Sequence, residues 1–138
     1  MPDFRIELDT GSGGLVASAT GRLTPADMRH MGHQVWSTHG FAGCYLLWDL
    51  REARFDISAQ EVAKLAEFAA GLSTLRPGAR MAFVTSSPLE YGLARRMTAL
   101  RAREGLEQLV SPDFEEAQSW LRQAPAALEY AAQQHGAA

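Results

Sequence analysis

The side chains of this 138-residue chain best suited to chemistry fall into three groups. Thr85, Ser86, Tyr91 and Arg95 form the first. Thr85 and Ser86 are expected at the carboxyl end of a strand, with Tyr91 and Arg95 one turn apart on the helix that follows. A helix N-terminus furnished with hydroxyls, a phenol and a guanidinium can hold an anionic group, whereas the same residues in the bland reading are a solvated Tyr–Arg pair on a surface helix. Asp49 and Arg51, with Arg54 nearby, make the second group, either a local ion-pair network or a partner-facing surface. Ser58 is the third: with Glu61 it forms a capping box, in which a serine hydroxyl contributes about 1 kcal/mol to helix stability.

Stronger chemistry lacks its signatures. His30 and His33 can share a helical face, but zinc needs a third protein ligand, and His39 lies well around the helix from His33. No HisGluXaaXaaHis run or cysteine–histidine cluster supplements them, so no metal site is assigned. A hydrolase triad can be assembled on paper from Ser86 or Ser87, a histidine and Asp49, yet the Gly-x-Ser-x-Gly elbow is missing and Ser87 serves better as a helix cap. Glu115 and Glu116 are adjacent on a helix and face different ways, so they cannot flank one substrate bond. GlySerGlyGly at 11–14 leads into a strand, not into a helix whose N–H groups would cradle a phosphate. No catalytic residue is assigned, no cofactor is expected, and the chain reads as a non-enzyme.

The elements that position these residues follow from periodicity. Phe4, Ile6 and Leu8 alternate with Arg5, Glu7 and Asp9, the period of a strand with one buried face, and the glycine turn then opens a second strand to give an antiparallel hairpin over 3–20. Thr24, Pro25 and Asp27 start a first helix with Met28, Met31 and Val35 as its apolar stripe and His39-Gly40 as its end. Residues 44–48 form a short buried strand and 49–57 a long polar connection. Ser58 opens a second helix carrying Val62, Leu65, Ala66, Ala69 and Leu72. A strand at 81–84 precedes a third helix, capped at Ser87, whose buried side is expected to be Leu89, Leu93, Met97 and Leu100. A weak strand at 107–110, a fourth helix from Asp113 with Phe114, Ala117 and Leu121, and a short helical or frayed tail over 125–138 complete the order.

The fold class is therefore α/β: a single domain over 1–138, ordered β-β-α-β-α-β-α-β-α, with a mixed, mostly parallel five-stranded sheet backed by helices. In such sheets ligands gather beyond the carboxyl ends of the strands, here 49–58, 85–91 and 111–113. Trp36, Trp48 and Trp120 are expected to serve packing, and with Met28 and Met31 they are also the residues able to line an apolar pocket between helix and sheet.

Composition fits a globular chain, 46% hydrophobic and 21% charged. A net charge of −3 gives no whole-chain reason for nucleic-acid or anionic-membrane binding. An arginine-rich stretch over 76–103 and an acidic one over 104–138 read as complementary surfaces of one fold. Cys44, the lone cysteine, sits in an apolar run as a small hydrophobe, and no secretory signal or bilayer-length apolar run is present, so a cytoplasmic location is expected.

GlyArgLeuThrProAlaAsp (21–27), LeuTrpAspLeuArg (47–51), and AlaPheVal (82–84) followed by TyrGlyLeuAlaArg (91–95), set in this element order over 3–122, resemble the STAS domain, the anti-sigma-factor-antagonist fold, including a bacterial branch grouped with CRAL-TRIO-like lipid-binding domains. The resemblance implies a non-enzymatic regulatory or protein–protein interaction module with a protein partner. The alternative it leaves is a carrier for a lipid or other apolar anion, with an uncharacterised small hydrolase third. The Asp-Ser-Ser-Gly phosphorylation switch of the family is replaced here by Asp49-Leu50-Arg51-Glu52, and the first helix-cap serine is Ser58. The exposed edge of the opening hairpin also offers a surface for a homodimer.

Overall fold

The computed structural model describes residues 2–101 and 105–136. The chain runs β1 (Asp3–Asp9), β2 (Gly14–Leu23), α1 (Pro25–Trp36), β3 (Tyr45–Phe55), α2 (Ala59–Leu72), β4 (Arg80–Val84), α3 (Pro88–Leu100), β5 (Glu107–Ser111), α4 (Phe114–Arg122) and α5 (Pro125–Gly136). The strands form one five-stranded sheet in sequential order, β1 antiparallel to β2 and the others parallel. Tyr45 pairs with Arg80 and Asp49 with Val84, so the two apolar runs lie side by side in the middle of the sheet.

Because the strand order advances in one direction through crossovers of one hand, α1, α2 and α3 fall on the same face. There Leu15, Ala17, Leu46 and Met81 meet Val35, while Ala19, Leu23, Leu50 and Ala53 meet Met31. The opposite face, carrying Val16, Tyr45, Leu47, Ala82 and Val84, is covered by Ala117 and Leu121 of α4 and by Ala126 and Ala127 of α5. Period-two alternation along β2, β3 and β4 thus feeds two separate cores.

The helix starts follow the sequence expectation. Thr24 and Ser58 each complete a capping box, with Asp27 and Glu61 respectively, and Asp113 caps α4 by accepting from the Glu116 N–H. The 11–14 turn leads into β2 as expected: Gly13 has φ 70° and a Cβ on Gly14 would overlap the Tyr45 ring, so both glycines are demanded by backbone shape and by the approach of an aromatic ring.

Three features differ from expectation. Residues 49–55 are strand, not connection: β2 continues to Leu23 and supplies ladder partners for β3 as far as Phe55. A bulge sets Leu50 and Arg51 together opposite Ala19, and this break in alternation disguises a strand whose polar residues face a side α4 only partly covers. Helix α1 stops at Trp36, where the Ser37 and Thr38 hydroxyls donate to the His33 and Gln34 carbonyls and compete with further helix. On α3 the inward residues are Glu90 and Ala94, with Leu93 and Met97 beside them, while Leu89 and Leu100 are exposed. The expected short C-terminal helix is present as α5, docked through Ala126 and Ala127; of the stretch 135–138 expected to fray, His135 and Gly136 belong to α5 and 137–138 lie outside the described residues.

Candidate functional site

A cavity of about 90 Å³ lies between the three-helix layer and the sheet. Its floor is Leu23, Trp48, Leu50, Phe55 and Phe83, and its walls are Met28, Met31 and Trp36 of α1, Leu65, Phe68 and Ala69 of α2, and Leu93, Ala94 and Met97 of α3. Ile57, in the connection between β3 and α2, closes one side. Gly32 of α1 and Ala94 of α3 are the small residues of the lining, and a Cβ at Gly32 would stand 3.4 Å from Phe68 and 3.8 Å from Leu72 of α2. Three methionines in the wall give it adaptable, polarisable surfaces. Among the described residues, Arg101 is the one charged member of the lining; it is 3% exposed, with Nη1 3.8 Å from Met81 Sδ.

Glu90, also buried, fastens the end of β3 to the start of α3. Its Oε2 accepts from the Phe55 N–H at 3.2 Å, its Oε1 accepts from the Ser87 hydroxyl, and Arg54 Nη1 stands 3.9 Å away. This carboxylate lies one turn from Ala94 and next to Phe55, both in the cavity lining, so it ties two walls together. In sequence it reads only as the third residue of a cap; the coincidence of a capping position with the inward face of α3 is what buries it.

Several polar residues singled out in the sequence gather instead on the opposite face. Arg51 makes a two-pronged pair with Asp49, Nε to Oδ1 at 2.8 Å and Nη2 to Oδ2 at 2.9 Å, and its guanidinium lies 4.8 Å from the centre of the Phe114 ring. The hydrogen bonds from Arg51 to Asp49 hold the guanidinium pKa above its ordinary value. Ser86 donates to the Arg51 carbonyl at 2.5 Å, which ties the loop after β4 to β3. Beside them a cleft of about 330 Å³ is lined by Ser18, Thr20, Asp49, Arg51 and Glu52. It is larger than the apolar cavity, but the Arg51 guanidinium within it is already committed to Asp49.

The other candidates stay apart from these. Tyr91 and Arg95 interact along α3, Nη1 to the phenol oxygen at 3.5 Å, and among the described residues neither hydrogen-bonds Thr85 or Ser86. Thr85 is 1% exposed, with its N–H donating to the Ser111 carbonyl. Ser58 is exposed at the start of α2, its hydroxyl accepting from the Glu61 N–H at 3.2 Å. His33 packs edge-on against Phe68, and among the described residues no three histidine, cysteine or acidic side chains form a metal-sized group. Among the described residues one bridge joins the arginine-rich and acidic stretches, Arg80 to Glu107 at 3.6 Å.

A triad not anticipated from sequence stabilises the far face. Asp9 Oδ2 accepts from the Tyr45 hydroxyl at 2.6 Å and from Arg122 Nε at 2.9 Å, linking β1, β3 and α4. Burial opposes ionisation of Asp9, but these two donors outweigh it and hold its pKa below the ordinary carboxylate value. Burial, and then the bond to Asp9, push the Tyr45 pKa well up. No short spacing announces the triad, since its members are 36 and 113 residues apart.

No family model and no curated protein matches this chain. Among solved structures it is similar to an uncharacterized protein of the DUF3478 family, with a SpoIIAA-like fold, from Shewanella loihica PV-4. The two share 21% identity at a TM-score of 0.56, and the match covers 87% of this chain and 93% of that one. The fold is accordingly SpoIIAA-like, the STAS type that the sequence resemblance implied.

Proposed function

We propose that this chain is a non-catalytic binding module that takes the apolar part of a small molecule into the cavity beneath α1, α2 and α3. The observation that carries the reading is the cavity itself: an unfilled apolar space walled by methionines and aromatics, in a chain otherwise packed on both faces of its sheet. Apolar side chains that line an unfilled recess forgo packing contacts which the rest of the core makes and which the apolar part of a ligand can supply. Its size limits the occupant. A cavity of roughly 150 Å³ takes up benzene, so 90 Å³ suits a short acyl end or a small ring unless the methionine side chains move aside.

A regulatory, protein-binding role rests on the fold likeness alone; the cavity is the observation that favours a small ligand. Calorimetric titration with a short fatty acid such as octanoate, paired with displacement of a fluorescent aromatic sulfonate, tests the reading. Saturable one-to-one uptake of both probes, each displacing the other, is expected. Absence of uptake by either probe, in a protein whose circular dichroism shows it folded, rejects it.

A further inference from the structure

Among the described residues, strand β1 pairs only with β2, so its other side presents a row of backbone N–H and C=O groups at the rim of the sheet. An edge of this kind is a template for another strand unless its side chains forbid the approach. The side chains here discriminate among approaches. Phe4, Ile6 and Leu8 point to the face carrying α1–α3, and Leu8 is 40% exposed; Asp3, Arg5, Glu7 and Asp9 point to the other face, with Arg5 and Glu7 exposed.

Two copies of this strand can pair antiparallel about a two-fold axis through the sheet, and because opposed residues must share a face, only three central positions put most of the strand in register. Centred on Arg5, the pairing opposes Arg5 to Arg5 and Asp3 to Glu7, all like charges. Centred on Glu7, it opposes the two Glu7 carboxylates and sets Arg5 against an Asp9 already held by Tyr45 and Arg122. Centred on Ile6, it sets Arg5 against the partner's Glu7 twice over, and Leu8 against the partner's Phe4 twice over. Its one kind of like pair, Asp3 against the partner's Asp9, also occurs twice and is relieved because Arg122 already neutralises Asp9. Opposed residues of an antiparallel pair have Cβ atoms about 5 Å apart, within reach of a guanidinium–carboxylate contact.

We infer that this chain forms a two-fold homodimer through β1, centred on Ile6, which joins two sheets into one of ten strands and covers Leu8. The occupant of the edge is a second copy because the charge pattern complements itself in this register and in neither of the others. The contact leaves the α1–α3 cavity untouched, so it stands or falls independently of ligand binding.

Sedimentation equilibrium of the full chain, from low to high micromolar concentration, provides the test, with Arg5→Glu, Glu7→Arg and the double variant beside the wild type. The wild type is expected to pass from monomer to dimer mass over this range. Each single variant turns both opposite-charge pairs into like-charge pairs and weakens association by about tenfold or more. The double variant, which exchanges the two charges and so restores both opposite-charge pairs across the axis, recovers association close to that of the wild type. A wild type that stays monomeric throughout overturns the inference. So does a double variant that remains as weak as the singles, because pairing centred on Glu7 or through another surface would not be rescued by the exchange. Circular dichroism melts of all four proteins separate loss of association from loss of fold.

Discussion

Replacing Ala69 by leucine tests whether the space beneath α1–α3 is a real void with a binding role. Ala69 lies on α2 in the cavity wall, and alanine and leucine are nearly equal as helix formers, so the substitution changes filling and little else. At about 24 cal/mol per Å³, a closed void of 90 Å³ would cost about 2 kcal/mol, and because this one is partly open to solvent that figure is the ceiling on what filling can recover. An unfolding entropy near 2.1 cal/mol/K per residue, over 138 residues, converts that ceiling to about 7 °C in Tm. Differential scanning calorimetry is expected to show Ala69→Leu melting about 3–7 °C above the wild type. The same variant is expected to lose most of its octanoate heat. A lowered Tm would mean the wall was already filled, and an unchanged octanoate affinity would mean the probe binds elsewhere; either refutes the reasoning.

Four further outcomes are expected. Gly32→Ala, in the interior of α1, places a methyl at ordinary contact distance from Phe68 and raises stability by about 0.5–1 kcal/mol in chemical denaturation. Glu90→Ala leaves the half-buried Phe55 N–H without its acceptor and costs about 1–3 kcal/mol, read from the urea midpoint. Asp9→Asn costs about 1–2 kcal/mol at neutral pH, after allowance for the half-exposed Arg122. Because the folded pKa of Asp9 lies below its unfolded value of 3.8, this contribution is complete above that value and is lost as pH falls through the folded pKa, so the gap in Tm between wild type and variant closes in acid. Gly14→Ala drives a methyl into the Tyr45 ring and lowers the urea midpoint by the equivalent of about 1–3 kcal/mol.

Where local chemistry settles an element, the sequence showed it: Thr24, Ser58, Ser87 and Asp113 mark helix starts that the structure keeps, because a cap is satisfied within three residues of itself. The opening hairpin and the mostly parallel character of the sheet followed from alternation and crossover handedness. What stayed hidden depended on partners far along the chain. The polar half of β3 is strand only because β2 extends beside it, and neither stretch announces the other. Leu89 and Leu100 match a helical stripe as well as Leu93 and Met97 do, yet with Glu90 bound to Phe55 and Ala94 buried they face outward. The polar candidates pointed to the rim, whereas the cavity is apolar. Met28, Met31, Trp36 and Trp48 were legible as a pocket lining, but the α2 and α3 residues that complete it carry no signal of their own.

The tryptophans supply the most direct check on the cavity as a binding site. Trp36 and Trp48 line it, while Trp120 stacks beneath Arg80, 4.6 Å from its guanidinium, on the opposite face of the sheet. Titration with a brominated short-chain fatty acid, a contact quencher, is therefore predicted to dim the emission of the wild type saturably. A Trp36→Phe/Trp48→Phe variant, which keeps only Trp120, is predicted to stay bright. Equal quenching of the two proteins, or none in the wild type, would contradict a ligand site beneath α1–α3.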